Sequence, residues 1–344
     1  MTEEGFFYKP FSHVYVERRA MDREITEKIL ERLPGAALVP VDSYMDLFGR
    51  KKQNPAAARR NQALILAVKE GELIYPGAPV CQDFGNSHFY YTSCEMNCLF
   101  DCEYCFLKGM YPSGYHVIFV NIEDYFEKTE ELLRRHPLYL CVSYDSDLMA
   151  SERLTGYVRL WSEFTGRHAG KKGTGRLLTE IRTKSAPGKI WEELTPYKNV
   201  IFAFTLSPAG IIERYEHGTP SLSARIESAA KALDRGFPVR LCFDPIIVCS
   251  SWREAYADMV SQVSSSIDMR KLVDVSVGSF RISAEYLGRM RRAMPGSALV
   301  QYPYEISSGY YHYPRKLMED MEGFLTGQLA AHMDKEQIFR WDNQ

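Results

Sequence analysis

HFYYTSCEMNCLFDCEYC, residues 88–105, decides how the rest of this chain is read. HFYYTS (88–93) has the aromatic and β-branched make-up of a strand. A loop follows at once in which Cys98, Cys102 and Cys105 form a C-x3-C-x2-C pattern. Three thiolates on one short loop can hold three irons of a cubane cluster and leave the fourth iron open to a substrate or cofactor. Zinc competes for such ligands, being tetrahedral and fond of thiolate. It needs a fourth donor, which Cys94 or His116 could supply, but a zinc site would more often show paired C-x2-C knuckles and only one C-x2-C occurs. Cys94 repeats the first spacing with Cys98, yet the register fails at Asp101. Cys94 therefore reads as a small buried residue at the strand end.

Outward from that loop the pattern alternates. Strand-like runs recur at LYLCVSY (138–144), RLLTEIRT (176–183), NVIFAFTLS (199–207), FPVRLCFDPII (237–247) and LVDVSVGSF (272–280). Helical spacing falls between or after them: EDYFEKTEELLRRH (123–136), LMASERLTGYVRLWSEF (148–164), GKIWEEL (188–194), LSARIESAAKALDRG (222–236), WREAYADMVSQV (252–263) and AEYLGRMRRAM (284–294). Apolar strands interleaved with amphipathic helices make β/α units and a parallel sheet with covered faces. The expected class is α/β, and six units fit a partial (β/α)6 barrel of the TIM type better than a doubly wound sheet. In either architecture ligands bind at the carboxyl ends of the strands, where the cysteine loop sits. The chain before it reads as a small N-terminal α/β extension, 1–85, ahead of a barrel with a C-terminal substrate-side segment, 86–344. Within the extension, REITEKILERL (23–33) has helical spacing, and ALVPV (37–41) and ALILAV (63–68) read as strands. The basic run GRKKQNPAAARRN (49–61) is a solvated loop or helix end, or, on the sharper reading, a phosphate-contacting arm.

Bulk properties narrow the class. The 344 residues allow one large domain or two smaller ones and a sizeable core. A net charge of −2 argues against a wholly basic nucleic-acid binder, though not against a local basic groove. The N-terminus lacks the basic and apolar regions of a signal peptide, and no apolar run is long enough to span a membrane, so a cytoplasmic protein without membrane contact is expected. In a reducing compartment eight cysteines more often bind metal or do chemistry than form a disulfide framework. No G-x-x-x-x-G-K-[ST] occurs, so nothing points to nucleotide hydrolysis. Tyr302, Tyr304, Tyr310, Tyr311 and Tyr313, followed by Arg315 and Lys316, either stack bases or pack a helix entry against the barrel.

The cysteine motif behind the first strand of a six-unit barrel resembles the radical S-adenosylmethionine superfamily. NCLFDCEYCFLKGMY, SYDSDLMASERLT (143–155), RTK (182–184), FTLS (204–207), YEHGTPSLSARIESAAKALDRGF (215–237) and GYYHYP (309–314) are similar to its spore photoproduct lyase branch. That resemblance implies a 4Fe–4S cluster on Cys98, Cys102 and Cys105 with S-adenosylmethionine on the open iron. It places Tyr104, Ser146, Lys184, Thr205 and Asp244 around the cofactor, and leaves Arg225 as a structural or cofactor-side ion-pair residue. A lysine at a strand end independently suits a cofactor carboxylate. The resemblance further implies DNA carrying a methylene-bridged thymine dimer as substrate, and a one-electron donor such as flavodoxin or ferredoxin.

The pattern departs from the family at three places. Tyr144 stands where the family has its hydrogen-donating cysteine, and Phe106 where it has a relay tyrosine. Either Cys141 takes over as donor, which strand alternation opposes unless a bulge intervenes near Ser143, or Tyr144 is itself the donor or relay, or none is needed. YEIS (304–307) stands where the family's substrate-contacting arginine and tyrosine are expected. These departures leave room for a radical enzyme with another substrate. A zinc-stabilised, non-catalytic nucleic-acid-binding protein is the alternative from outside the enzyme class.

Overall fold

The structure, a computed structural model, describes residues 11–50, 53–55, 63–78, 81–170 and 176–340. Most of the basic run at 49–61 lies outside them.

Six parallel strands form the barrel wall: Phe89–Thr92, Leu138–Cys141, Leu177–Thr183, Val200–Thr205, Val239–Ile246 and Asp274–Ser279. Each pairs with the next in chain order. A doubly wound sheet would reverse its order at a switch point; this one does not, so the sheet is a partial (β/α)6 barrel. Ile74–Pro76 adds an antiparallel strand at the first edge and Ile338–Arg340 a parallel one at the last. Central strands such as Val200–Thr205 and Asp274–Ser279 are buried at every position, because helices cover one face and barrel contents the other.

The helices start where the sequence supplies caps. The Asp147 carboxylate accepts from the Ala150 amide at 3.1 Å, opening Leu148–Thr155. Ser221 Oγ accepts from the Ala224 amide at 3.3 Å, opening Leu222–Asp234. The expected helix over 148–164 is two helices, Leu148–Thr155 and Tyr157–Arg167. Gly156, at φ 72°, breaks it by taking the left-handed conformation that side chains disfavour. The Glu152 carboxyl then accepts from the first amides of the second helix, Val158 at 2.6 Å and Arg159 at 3.2 Å. The expected helix at 188–194 is only Ile190–Glu193.

A second sheet runs Ala37–Val41, His13–Glu17, Ala63–Ala67, His116–Phe119 and Glu95–Met96. Its fourth strand, HVIF, was not among the strand-like runs. It comes from beyond the cysteine loop and pairs in parallel with Ala63–Ala67. Asn121, just after it, donates to the Lys69 carbonyl at 2.9 Å and accepts from the Lys69 amide at 3.0 Å. These bonds tie the third and fourth strands of the second sheet together just beyond their ends. Among the described residues no helix is long and apolar enough to cross a membrane.

Candidate active site

A cavity of about 670 Å³ opens at the carboxyl ends of the barrel strands. Cys98, Cys102 and Cys105 line it, as do Tyr104, Ser146, Lys184, Thr205 and Asp244. So do Cys141 and Tyr144. Residues spread over more than a hundred positions thus meet at one face, as strand-end placement requires.

The cysteine loop is held from both sides. Asp101–Cys102 pairs antiparallel with Glu216–His217, and the Glu103 amide donates to the Tyr215 carbonyl at 2.8 Å. Asn97, at φ 65°, donates to the carbonyls of Ser113 at 3.0 Å and Tyr115 at 2.7 Å. The short helix Leu107–Met110 packs so closely that a Cβ on Gly109 would lie 2.5 Å from the Tyr286 carbonyl oxygen. The Phe100 amide points at Cys98 Sγ, 3.4 Å away, the polar contact a thiolate ligand needs. No disulfide consumes these thiols. Burial pushes the Cys98 and Cys102 thiols up, Cys102 to about 12 despite the opposing Lys184 charge. Binding metal would therefore displace protons. Among the described residues no three His, Cys, Asp or Glu side chains converge as a single ion requires. Three thiols ringing a cavity suit a polynuclear cluster better. The fourth-ligand candidates are elsewhere: Cys94 is buried with its Sγ 3.8 Å from the Val142 carbonyl, and His116 lies between the Asn97 carbonyl at 3.0 Å and Glu95 at 3.2 Å. Neither lines the cavity.

Behind the loop lies a buried ion-pair network. Arg225, fully buried, pairs with Glu216 at 2.5 Å and donates to the Thr205 and Pro220 carbonyls at 3.1 and 3.0 Å. Glu216 also accepts from Ser207 Oγ at 2.8 Å and from the Tyr104 hydroxyl. Burial alone would raise the Glu216 carboxyl, but Arg225, Lys184 and these donors hold it below the usual range. Arg225 is thus a support that fixes Thr205 and Glu216. Tyr104 presents its ring to the cavity, with Lys184 Nζ 5.5 Å from the ring centroid. Asp147 fixes the strand end carrying that lysine, accepting from the Lys184 amide and Thr183 Oγ1, each at 2.7 Å. Burial lowers the Lys184 ammonium less than Cys102 and Glu216 raise it, so it stays charged. Ser146 Oγ donates to Glu95 at 3.0 Å. The Asp244 carboxylate is already shared, accepting from Arg182 at 3.1 Å and Ser276 at 2.8 Å.

The family model for spore photoproduct lyase matches residues 83–285, more than half of the chain. The chain belongs to the spore photoproduct lyase family. A spore photoproduct lyase of Clostridium acetobutylicum is 23% identical over 349 residues, covering 95% of this chain and 98% of the relative. One from a Geobacillus species is 21% identical over 281 residues, covering 78% of each. A spore photoproduct lyase solved with dinucleoside spore photoproduct superposes at TM-score 0.79 and 18% identity, covering 97% of this chain and 99% of that one. A mutant spore photoproduct lyase with bound AdoMet and dinucleoside spore photoproduct gives 0.78 at the same identity, covering 98% and 100%. Family membership makes the protein a radical S-adenosylmethionine enzyme with a 4Fe–4S cluster and sets aside the zinc-stabilised binding protein.

Other positions flagged in the sequence settle differently. Strand alternation does not separate Cys141 from Tyr144, because the strand ends at Cys141 and the chain turns before Tyr144. Tyr302, Tyr304 and Tyr313 pack against one another, with ring centroids 4.9–5.1 Å apart, as core. Only Tyr310 of the five reaches the cavity wall. Sequence reasoning missed Cys81, Glu180 and Arg281, which line it too. Glu180 stood inside a recognised strand; Cys81 and Arg281 had no local signal.

Proposed function

We propose that this chain repairs a methylene-bridged thymine dimer in DNA. On this reading Cys98, Cys102 and Cys105 hold the cluster, and Lys184 meets the carboxylate of S-adenosylmethionine. Tyr104, Ser146 and Thr205 line the cofactor's place, and Asp244 contributes chiefly by holding Arg182 in the wall. When bound, the cluster and S-adenosylmethionine supply a carbon radical that takes a hydrogen atom from the lesion. The protein's own work is to orient both partners and to keep water from the radical. The observation that carries the reading is the gathering of three free thiols, a charged lysine and strand-end hydroxyls around one 670 Å³ cavity in a chain of this family. A cytoplasmic location and a flavodoxin or ferredoxin as electron donor belong to the same proposal.

A second reading has its own support: a different substrate for the same radical chemistry. Tyr144, Phe106 and the exposed strand Glu305–Ser307 occupy positions where the family's donor, relay and substrate-contacting residues are expected. Anaerobic enzyme, reductant and dinucleotide spore photoproduct decide between them by mass spectrometry. Thymidylyl-thymidine supports repair. Release of 5′-deoxyadenosine with the lesion intact transfers the chain to the second reading.

A further inference from the structure

Ser146 reaches the cavity wall from the loop after the second barrel strand. Its Oγ lies 3.0 Å from Oε2 of Glu95, a residue of the short strand Glu95–Met96 that is 1% exposed. Glu95 Oε1 accepts from Ser151 Oγ at 2.7 Å. Glu95 Oε2 also faces Nε2 of His116 at 3.2 Å, and that nitrogen has no other partner among the described residues. His116 is 4% exposed and turns its other ring nitrogen, Nδ1, to the Asn97 carbonyl at 3.0 Å. Asn97 directly precedes Cys98. A buried line of contacts, Asn97–His116–Glu95–Ser146, thus runs from the cluster loop to the cavity wall. Its two middle members do not reach the cavity themselves.

The hydrogens along this line follow from what each partner can do. A carbonyl only accepts, so His116 Nδ1 carries a hydrogen and donates it to Asn97. Two lone pairs on Nε2 and Glu95 Oε2 would repel each other, so one hydrogen lies between them. Whether nitrogen or oxygen holds it, Oε2 has none left for Ser146. Ser146 therefore gives its single hydrogen to Glu95, and its Oγ turns only lone pairs to the cavity. Resting on the reading that places S-adenosylmethionine against Ser146, we infer that Glu95 is a positioning residue, kept in this role by His116, that fixes Ser146 as a hydrogen-bond acceptor. Ser146 then takes an N–H or O–H hydrogen of the cofactor and repels its acceptor atoms. Lys184, which can only donate, takes the cofactor carboxylate. The two side chains sort the donor and acceptor groups of one small cofactor before any electron arrives.

Titration of S-adenosylmethionine into the cluster-loaded, unreduced enzyme tests this without lesion or turnover. Glu95→Gln keeps the shape and reverses the polarity. Its amide oxygen still accepts from Ser151, while its amide nitrogen donates one hydrogen to His116 Nε2 and the other to Ser146 Oγ, which turns the Ser146 hydrogen toward the cavity. Affinity should fall about tenfold, with thermal unfolding close to that of wild type. Ser146→Ala should lower affinity too. Adding Glu95→Gln to it should then change affinity less than about twofold, because the hydroxyl through which Glu95 acts is gone. Glu95→Ala leaves the hydroxyl free to rotate and accept, so it should bind the cofactor more tightly than Glu95→Gln. A purely structural role gives the opposite order, since alanine leaves a void and glutamine does not. Wild-type affinity in Glu95→Gln, an undiminished loss on top of Ser146→Ala, or alanine binding more weakly than glutamine overturns the positioning role alone. Wild-type affinity in Ser146→Ala removes Ser146 from the cofactor and this inference with it. A lesion left intact by the wild type, with the affinities as expected, overturns the repair reading and leaves the inference standing.

Discussion

At the scale of single residues, Lys184 is the charge on which cofactor binding turns. Its backbone is fixed by Asp147, its ammonium faces the Tyr104 ring, and its charge is held up by Cys102 and Glu216. A hydrogen bond to a charged partner contributes about 1.5–3 kcal/mol. Lys184→Met keeps the apolar stem and removes the charge, so S-adenosylmethionine affinity should fall about 10- to 100-fold. Calorimetric titration of the reconstituted, unreduced enzyme measures it; an unchanged affinity would remove Lys184 from the cofactor site. Residues of this kind were legible because a short motif carries them: the cysteines by their spacing, Lys184 by its strand end. Cys81 was not legible. Its place in the cavity wall arises only when a loop more than 60 positions before Tyr144 folds back against it, and no local pattern encodes that approach.

At the scale of elements, alternation of period-2 and period-3.6 patterns revealed the strands and helices that make up the barrel, because each is long enough for burial to impose its period. The errors are short-range. The helix over 148–164 carries one continuous apolar stripe, yet Gly156 splits it, and the sequence gives no sign of the left-handed turn beyond the glycine itself. Glu152 makes that junction pH-sensitive. Burial raises its carboxyl to about 8, more than the Val158 and Arg159 amides lower it. A raised carboxyl keeps its proton in the folded state after the unfolded chain has lost it. Its contribution is therefore most favourable below the ordinary glutamate range and is progressively lost as pH climbs to about 8. Glu152→Gln should remove this slope: the variant gains stability relative to wild type between about pH 5 and 8 and holds a constant difference above. Urea unfolding at a series of pH values reads it, and parallel curves for the two proteins would contradict the assignment.

At the scale of the whole molecule, the sequence pattern suggests a small unit followed by a barrel, but the sheets exchange strands across residue 85. His116–Phe119, buried at all four positions, completes the N-terminal sheet, while Ile74–Pro76 edges the barrel sheet. The pattern could not reveal this, since a four-residue apolar run reads the same wherever it pairs. The consequence is energetic. A chain of residues 86–344 would strand HVIF without Ala63–Ala67, exposing an apolar face and a row of unpaired backbone groups. It would also lose the Lys69 partner of Asn121, which sits immediately after that strand. Burial of an aliphatic or aromatic side chain contributes about 1.5–3 kcal/mol, so uncovering several at once removes much of the ~5–15 kcal/mol by which a domain is stable. The truncated chain should therefore lack a cooperative unfolding transition and near-ultraviolet circular dichroism, and should fail to take up a cluster on anaerobic reconstitution. If instead it unfolds cooperatively and shows iron–sulfur absorbance, the barrel folds independently, and the shared strand is a contact between two self-sufficient units.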